Sequence, residues 1–229
     1  MSDAATIAFA DAAAEVAGVA LSGAGTLLSV SGELTAAAAA ELSGGDTAWT
    51  LTAPGAYALS LESLHPGVPL GAGATIWLCR ARGTVEDREL DALATIVRRP
   101  AAEAAALERS LAIGFDRELS LAMLARRPGS ATEHGDEELG AVVFRGDPPA
   151  AAVAQRPLLS STYDGGGLVR HAGIEVWEEE ESEYALRVGG EALTSGEIVH
   201  PDGARSRVTF MAFHHREHRA LGSYTLTTR

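Results

Sequence analysis

The residues best suited to chemistry near the C-terminal end are three histidines and a glutamate in Phe213-His214-His215-Arg216-Glu217-His218. Histidine is the side chain that most often acts as an acid, a base or a metal ligand near neutral pH. A shared metal ion would need His214 and His218 on one helical turn, whereas the segment has the pattern of a strand end and a loop. The pattern therefore indicates a polar hairpin tip, with a catalytic role for His214 as the alternative, and predicts no metal.

A predicted strand carries a carboxylate beside an indole. In residues 173–178 successive side chains point to opposite faces, so Glu175 and Trp177 share one face while Ile174 and Val176 share the other. If the Trp177 face points into a barrel, Glu175 is buried, which favours the protonated form that a general acid requires. The alternative is that Ile174 and Val176 face the core and that Glu175 and Trp177 lie on the surface.

Further polar and aromatic side chains near strand ends are candidates for ligand contact at a barrel mouth. Besides Trp177, these are Glu191, Tyr163, Arg170 and Tyr224. Tyr163 belongs to Ser-Ser-Thr-Tyr-Asp-Gly-Gly-Gly at residues 160–167, whose glycines let backbone approach a ligand closely. The segment matches neither a phosphate-binding loop nor the Gly-x-Ser-x-Gly of a serine hydrolase. It is typical of a flexible connection, with a lid over a pocket as the alternative.

The single cysteine, Cys79, rules out an intramolecular disulfide and a cysteine-rich zinc site. It ends the strand-like run Ile76-Trp77-Leu78-Cys79. We therefore expect a buried, inert thiol rather than a nucleophile.

The elements that would position these residues are predicted most clearly in the C-terminal third. Alternating or β-rich segments recur at residues 173–178, 184–188, 205–213 and 221–227, and His200-Pro201-Asp202-Gly203 has the composition of a tight turn. Short connections favour an antiparallel meander. Gly189-Gly190 interrupts the second segment, which indicates a bulge, a bend or a close backbone approach and hence a curved sheet.

The N-terminal half contains weaker strand candidates at the spacing typical of a sandwich or barrel. The middle is ambiguous. Residues 100–110 could begin as a helix with a proline in its first turn, but alternating apolar residues favour a strand hairpin over residues 109–126. The sequence thus predicts an all-β protein of antiparallel meanders, as a barrel or two packed β lobes, with at most one or two short helices.

One compact unit over residues 1–229 is expected, with possible lobes at residues 1–128 and 133–229. The seam would be the linker-like stretch at residues 127–132. A faint echo between residues 31–34 and 189–193 is compatible with a duplicated β unit.

The charge balance limits the partners. The formal net charge is −13, from 31 acidic and 18 basic residues, and every base is arginine. Nucleic acid and an anionic membrane surface are poor partners for such a chain. No signal peptide or apolar run long enough to span a membrane is visible, so we expect a soluble, cytoplasmic, bacterial protein without a cofactor.

The C-terminal pattern resembles the lipocalin-like family that includes the hydroxyneurosporene synthases, which are carotenoid hydratases. The resemblance rests on Gly173-Ile174-Glu175-Val176-Trp177-Glu178, Arg187-Val188-Gly189-Gly190-Glu191 and Leu221-Gly222-Ser223-Tyr224. It implies a barrel or paired-barrel architecture with an apolar ligand cavity. It also implies that some members act without redox chemistry on terpenoid-like molecules. The chain is shorter than those enzymes, and no catalytic motif matches residue by residue.

The leading hypothesis is a lipocalin-like protein that binds a small apolar, terpenoid- or polyene-like molecule. It could also be a non-redox lyase, hydratase or isomerase using Glu175 or His214. One alternative is a non-catalytic interaction or scaffold protein. Another is a metal-dependent enzyme centred on His214, His215 and His218.

Overall fold

The computed structural model describes residues 4–71, 73–99, 105–115, 118–129, 136–180 and 183–229. Within these ranges the chain forms nineteen β-strands in two sheets, and neighbouring strands are antiparallel. The first sheet consists of β1 (Ala4–Asp11), β2 (Val16–Leu21), β3 (Gly25–Val30), β4 (Glu33–Ala37), β5 (Glu41–Gly45), β6 (Ala48–Ala53), β7 (Tyr57–Ser63), β8 (Val68–Gly71), β9 (Ala74–Val85) and β10 (Arg88–Arg99). The second consists of β11 (Ala105–Gly114), β12 (Leu119–Pro128), β13 (Glu138–Arg145), β14 (Ala150–Val153), β15 (Leu158–Tyr163), β16 (Val169–Val176), β17 (Leu186–Val199), β18 (Arg205–His215) and β19 (His218–Thr228).

The two sheets have the same strand order. The first runs β4-β3-β2-β1-β10-β9-β7-β6-β5, with β8 also paired to β9, and the second runs β14-β13-β12-β11-β19-β18-β17-β16-β15. In each, a four-stranded meander precedes a second meander whose last strand pairs with the first strand of the sheet. This shared topology supports a duplicated β unit. The similarity between residues 31–34 and 189–193 does not reflect this duplication, because residues 31–34 span the turn into β4 whereas residues 189–193 lie inside β17.

The two sheets differ in the strand that pairs with β18 in the second sheet and with β9 in the first. β17 runs unbroken along β18, through Gly189 and Gly190, with a register shift between Ala192 and Thr194. In the first sheet two shorter strands, β7 and β8, take this place beside β9, and residues 64–67 separate them. The glycine pair therefore lies inside a continuous strand, and the curved sheet that it predicted is present.

Each sheet curls into a half-barrel with its own apolar inner face. Alternation in β10 shows how the two faces arise, since Ala94 and Ile96 belong to the inner core while Leu93 and Val97 pack towards the other sheet. The largest buried side chains of the inner face of the first sheet are Phe9, Trp49 and Tyr57, and the half-buried Trp77 packs against this core. Those of the second include Phe213 and Tyr224.

The outer faces of the two curled sheets pack against each other. Two apolar clusters form this interface, one around Ile76, Leu124 and Phe144 and the other around Leu27 and Phe210. The contacts are nearly symmetric, since β3 touches β17 while β13 touches β8. The two half-barrels are therefore packed back to back, with their inner faces turned away from each other.

The all-β prediction is confirmed. The hairpin expected at residues 109–126 is present as β11 and β12, and the turn at residues 200–203 closes with the Gly203 N–H donating to the His200 carbonyl at 2.9 Å. The possible helix is wrong for residues 105–110, which lie in β11 and pair with β12 and β19. Residues 100–104 of that segment lie outside the described residues.

The sheets divide the chain between Arg99 and Ala105. The expected seam at residues 127–132 begins instead within β12, which is followed by β13 of the same sheet, and residues 130–132 lie outside the described part. No helix in the described ranges has the length and hydropathy needed to cross a membrane.

Candidate functional site

The inner face of the second sheet is apolar along most of its length and polar at one end. Its core contains Leu111, Ile174, Met211 and Phe213. Towards the polar end, β11 places Arg109 and β19 places Tyr224 on the same face, because Leu111 and Tyr224 are register partners. Apolar side chains together with a few hydroxyl and guanidinium groups are the usual lining of a small-molecule site.

Tyr224 is the centre of this polar end. Its side chain is fully buried, and its hydroxyl lies 3.1 Å from the Tyr163 hydroxyl. The Ser161 hydroxyl donates to the Tyr224 oxygen at 3.1 Å. β15, which carries Ser161 and Tyr163, is at the edge of the sheet, with three strands between it and β19. The contact therefore exists only because the sheet curls.

An ion pair flanks Tyr224. The Arg109 Nε donates to Glu137 at 2.9 Å, and a second contact joins Arg109 Nη2 to the same carboxylate. Such bidentate pairs are geometrically fixed. Burial lowers the pKa of Arg109, but the hydrogen bonds and charge of Glu137, together with Tyr224, raise it further, and the net shift is upward.

The environment keeps Tyr224 protonated. Burial raises the pKa of Tyr224 above its usual range, and the hydrogen bond from Ser161 and the charge of Arg109 offset that rise only in part. A neutral phenol at this position keeps one proton that it can donate, and it cannot act as a base near neutral pH. The cluster is thus suited to polarising an oxygen atom of a bound molecule, with Arg109 stabilising negative charge that develops there.

The glycine-rich segment at residues 160–167 is a hairpin end rather than an unsupported loop. Asp164 accepts hydrogen bonds from the backbone N–H groups of Leu168 and Gly166, both at 2.9 Å. These bonds hold the pKa of Asp164 below its usual range. Arg207 Nη1 donates to the Gly167 carbonyl at 3.1 Å. The turn beside Tyr163 is therefore held by hydrogen bonds to Asp164 within it and by one from Arg207 on β18.

Glu175 does not lie in the barrel interior, where a role as general acid would place it. Ile174 and Val176 are buried in the core, so Glu175 lies on the outer face, 3.4 Å from Arg187 Nε and with 39% of its side chain exposed. Trp177 lies against Arg156, whose guanidinium is 5.2 Å from the ring centroid. The alternative orientation of this strand is the correct one, which removes the burial that recommended Glu175 as an acid.

The other candidates lie in three places. Tyr163 and Tyr224 meet at the inner site, whereas Arg170 is outside it and pairs with Asp164 at 3.1 Å. Glu191 and His214 line a shallow groove of about 290 Å³ on the outer face of β15 to β18. The seven predicted residues therefore do not form one site.

The histidines at the last hairpin form a ring stack. His215 and His218 lie 6.4 Å apart between centroids, and the His215 Nδ1 donates to the Arg187 carbonyl at 2.8 Å. His218 begins β19 directly after the turn, as expected for a hairpin tip. Among the residues that the structure describes, no three His, Cys, Asp or Glu side chains lie close enough to hold a metal ion.

Sequence reasoning missed Arg109 and Glu137, and it considered Ser161 only as part of the glycine-rich segment at residues 160–167. One signal was available for Arg109, because it shares the alternating face of Leu107, Leu111 and Ile113, and a charged residue on an apolar face usually has a partner. Glu137 and Ser161 gave no comparable signal, since their contacts depend on the curl of the sheet.

Two solved structures have the same architecture. Kievitone hydratase from Nectria haematococca matches with a TM-score of 0.57 and 10% identity over 99% of this chain and 88% of that chain. A candidate AttH protein from Nitrosomonas europaea matches with a TM-score of 0.59 and 10% identity over 99% of this chain and 91% of that chain. Neither a protein-family model nor a curated protein matches the sequence. At this identity the likeness establishes the fold alone, which is the lipocalin-like all-β fold of two curled half-barrels.

Proposed function

We propose that the protein binds a small, largely apolar, terpenoid- or polyene-like molecule on the inner face of its second sheet. The hydroxyl of Tyr224 donates a hydrogen bond to an oxygen atom of that molecule. The observation that carries this proposal is the hydrogen-bonded group of Tyr224, Tyr163 and Ser161 at the end of an apolar face.

Non-redox addition or elimination of water is the chemistry that fits this group best. A neutral phenol beside Arg109 would polarise a carbonyl or hydroxyl oxygen, which assists loss or gain of water at a neighbouring carbon. Tyr163 is 44% exposed and hydrogen-bonded to Tyr224, so it offers a path for protons between solvent and the site. A protein of the same fold is named kievitone hydratase, which is in keeping with this class of reaction.

The test compares ligands that differ only in an oxygen atom. A polyene or terpenoid alcohol or ketone and its parent hydrocarbon are titrated into the wild-type protein and the Tyr224→Phe variant, with thermal stability and tryptophan fluorescence as readouts. Loss of one hydrogen bond worth about 1 kcal/mol predicts a roughly fivefold weaker affinity for the oxygenated ligand only. Tyr184→Phe is the matched control, because Tyr184 is exposed and lies in the connection between β16 and β17, at the end of β16 away from Tyr163.

The proposal fails if no oxygenated apolar ligand stabilises the wild-type protein. It also fails if Tyr224→Phe and Tyr184→Phe bind these ligands equally well. Hydration or dehydration of any bound ligand is followed by mass spectrometry, in which a mass change of one water is expected for the wild-type protein and loss of that change for Tyr224→Phe.

A further inference from the structure

The inner face of the first sheet carries a group of aromatic and cationic side chains that the proposed function does not use. Trp49 on β6 and Trp77 on β9 are in edge-to-face contact, with ring centroids 5.9 Å apart and planes at 67°. The guanidinium of Arg98 on β10 lies 6.0 Å from the Trp49 ring and 5.7 Å from the Trp77 ring. Two indoles and one guanidinium therefore share one end of this half-barrel.

Trp49 is buried but its polar atom is not satisfied. Only 3% of the residue is exposed, and its Nε1 has no hydrogen-bond partner among the described residues. A buried N–H without an acceptor is costly, because the group has lost its hydrogen bonds to water and gained none in return. Buried indole N–H groups normally find a partner, so an orphaned one indicates that an acceptor from outside the chain belongs there.

Arg98 is a second, independent sign of a missing partner. Its guanidinium makes no hydrogen bond or ion pair within the described ranges, although neighbouring Arg99 is paired with Glu108. Arg98 and its register partner Thr75 are only half-buried, so this end of the face is open to solvent. An arginine held over aromatic rings keeps its planar N–H fork available for a carboxylate.

The segment that separates β7 from β8 shapes this end of the first sheet. Gly67 lies so close to Trp77 that a Cβ there would come within 2.7 Å of the indole and 2.9 Å of the Thr75 methyl. The second sheet has no equivalent group. Its strand β17 is continuous, so no segment corresponds to residues 64–67. When positions are counted from the hairpin turn, Trp77 corresponds to Arg207 and Arg98 corresponds to Thr228. The group is therefore specific to the first half-barrel.

We infer that Trp49, Trp77 and Arg98 form a binding site for a small aromatic carboxylate. Arg98 would pair with the carboxylate, the Trp49 Nε1–H would donate to one of its oxygens, and the two indoles would contact the ring. Stacking and edge contacts of this kind favour planar ligands. The site is separate from Tyr224, since the two inner faces point away from each other.

The test uses 2-naphthoate, with 2-naphthalenemethanol as the neutral analogue. Calorimetry measures affinity for the wild-type protein and for Arg98→Gln and Trp49→Phe. Naphthoate is expected to bind the wild-type protein at least tenfold more tightly than the alcohol, and Arg98→Gln is expected to abolish that preference. The control is Arg156→Gln, which disrupts the exposed Arg156–Trp177 pair of the second sheet and should leave both affinities unchanged.

Nitrogen-15 spectra of the three indole groups report the Trp49 contact directly, with each signal assigned by its Trp→Phe variant. Naphthoate is expected to move the Trp49 Nε1–H signal downfield and to leave the Trp177 signal in place. No naphthoate binding at millimolar concentration, equal binding by Arg98→Gln, or a shift confined to Trp177 would each overturn the inference. Tyr224→Phe should not alter naphthoate binding, which separates this result from the fate of the proposed function.

Discussion

Cys79 shows that the curled first sheet shields the middle of its inner face from solvent. The side chain is completely buried, as predicted from its strand-like surroundings, and burial raises the pKa of the thiol to about 12. Because the thiolate is the reactive form, the folded protein should resist alkylation and disulfide exchange well above pH 9.

Titration with a chromogenic disulfide reagent at pH 9 checks this prediction. One equivalent of thiol is expected to react in denaturant, since the chain has a single cysteine, and almost none in the native state. Rapid reaction of the native protein, without unfolding, would show that the inner face is open at Cys79.

Tyr163 and Tyr224 illustrate what residue type alone can indicate about a site. Both were candidates because they are amphipathic aromatics near strand ends, and the structure brings their hydroxyls to 3.1 Å. Their separation of 61 positions along the chain gives no local pattern that would have linked them. Glu175 was chosen for a different reason, because it shares a face of its strand with Trp177. That face is the outer one, since alternation fixes which residues share a face and not which face is inside.

The consecutive glycines of β17 serve packing on both faces of one strand. A Cβ on Gly190 would lie 2.5 Å from the ring of buried Phe213, whereas a Cβ on Gly189 would lie 2.6 Å from the exposed ring of His214. Phe213 cannot move without disturbing the core, but His214 can turn into solvent. Gly190→Ala should therefore destabilise the fold by about 1–3 kcal/mol, through overpacking.

Urea unfolding checks this difference, with Gly189→Ala as the matched control. The control makes the same chemical change one residue away and should cost less than about 1 kcal/mol, a value in the range of surface substitutions. Equal losses for the two variants would mean that backbone freedom, rather than the Phe213 contact, explains the glycine at position 190.

Hairpins with local turn chemistry were the most predictable elements. The Pro-Asp-Gly turn before β18 and the alternation of β11 and β12 are encoded within a few residues of each strand. The failure at residues 105–110 has a physical cause. An alanine-rich segment is a good helix former by itself, and only its pairing with β12 and β19 makes it a strand.

The division into two sheets depends on one long-range pairing. β11 belongs to the second sheet because it pairs with β19, the last strand of the chain. Linker-like composition after β12 therefore pointed to the wrong place, since nothing local distinguishes a turn within a sheet from a connection between sheets. The two sheets share a strand order but not the side chains of their inner faces. When positions are counted from the preceding hairpin turn, Tyr224 of the second sheet corresponds to Ala94 of the first.

A buried charge cluster joins the two sheets where the chain passes between them. Glu108 on β11 contacts Arg99 on β10 and lies 3.3 Å from Arg126 Nε on β12, and its side chain is only 12% exposed. Burial and the charges of Arg126 and Arg229 lower the pKa of Arg99 to about 10. The negative charge of Glu108 thus balances the positive charges of Arg99 and Arg126 where little solvent reaches them.

Glu108→Gln should therefore be among the most destabilising single changes in the chain. Removing one partner of a buried ion pair typically costs about 3–5 kcal/mol, because the remaining charge stays buried. Glu197 provides the matched control, since it also contacts two arginines, Arg205 at 2.9 Å and Arg207 at 3.6 Å, but its side chain is 32% exposed. Glu197→Gln should cost less than about 1 kcal/mol, as is usual for solvated pairs.

Urea unfolding at neutral pH measures the free energy of unfolding of Glu108→Gln and of Glu197→Gln. A triple variant tests whether uncompensated charge explains the difference between them. If the loss in Glu108→Gln comes from uncompensated charge rather than from shape, replacing Arg99, Glu108 and Arg126 together by Met, Leu and Met should recover most of the stability. A triple variant as unstable as Glu108→Gln would instead mean that the hydrogen-bonding geometry of the cluster holds the sheets in register. Equal stability of Glu108→Gln and Glu197→Gln would show that solvent reaches the junction and that apolar packing alone joins the half-barrels.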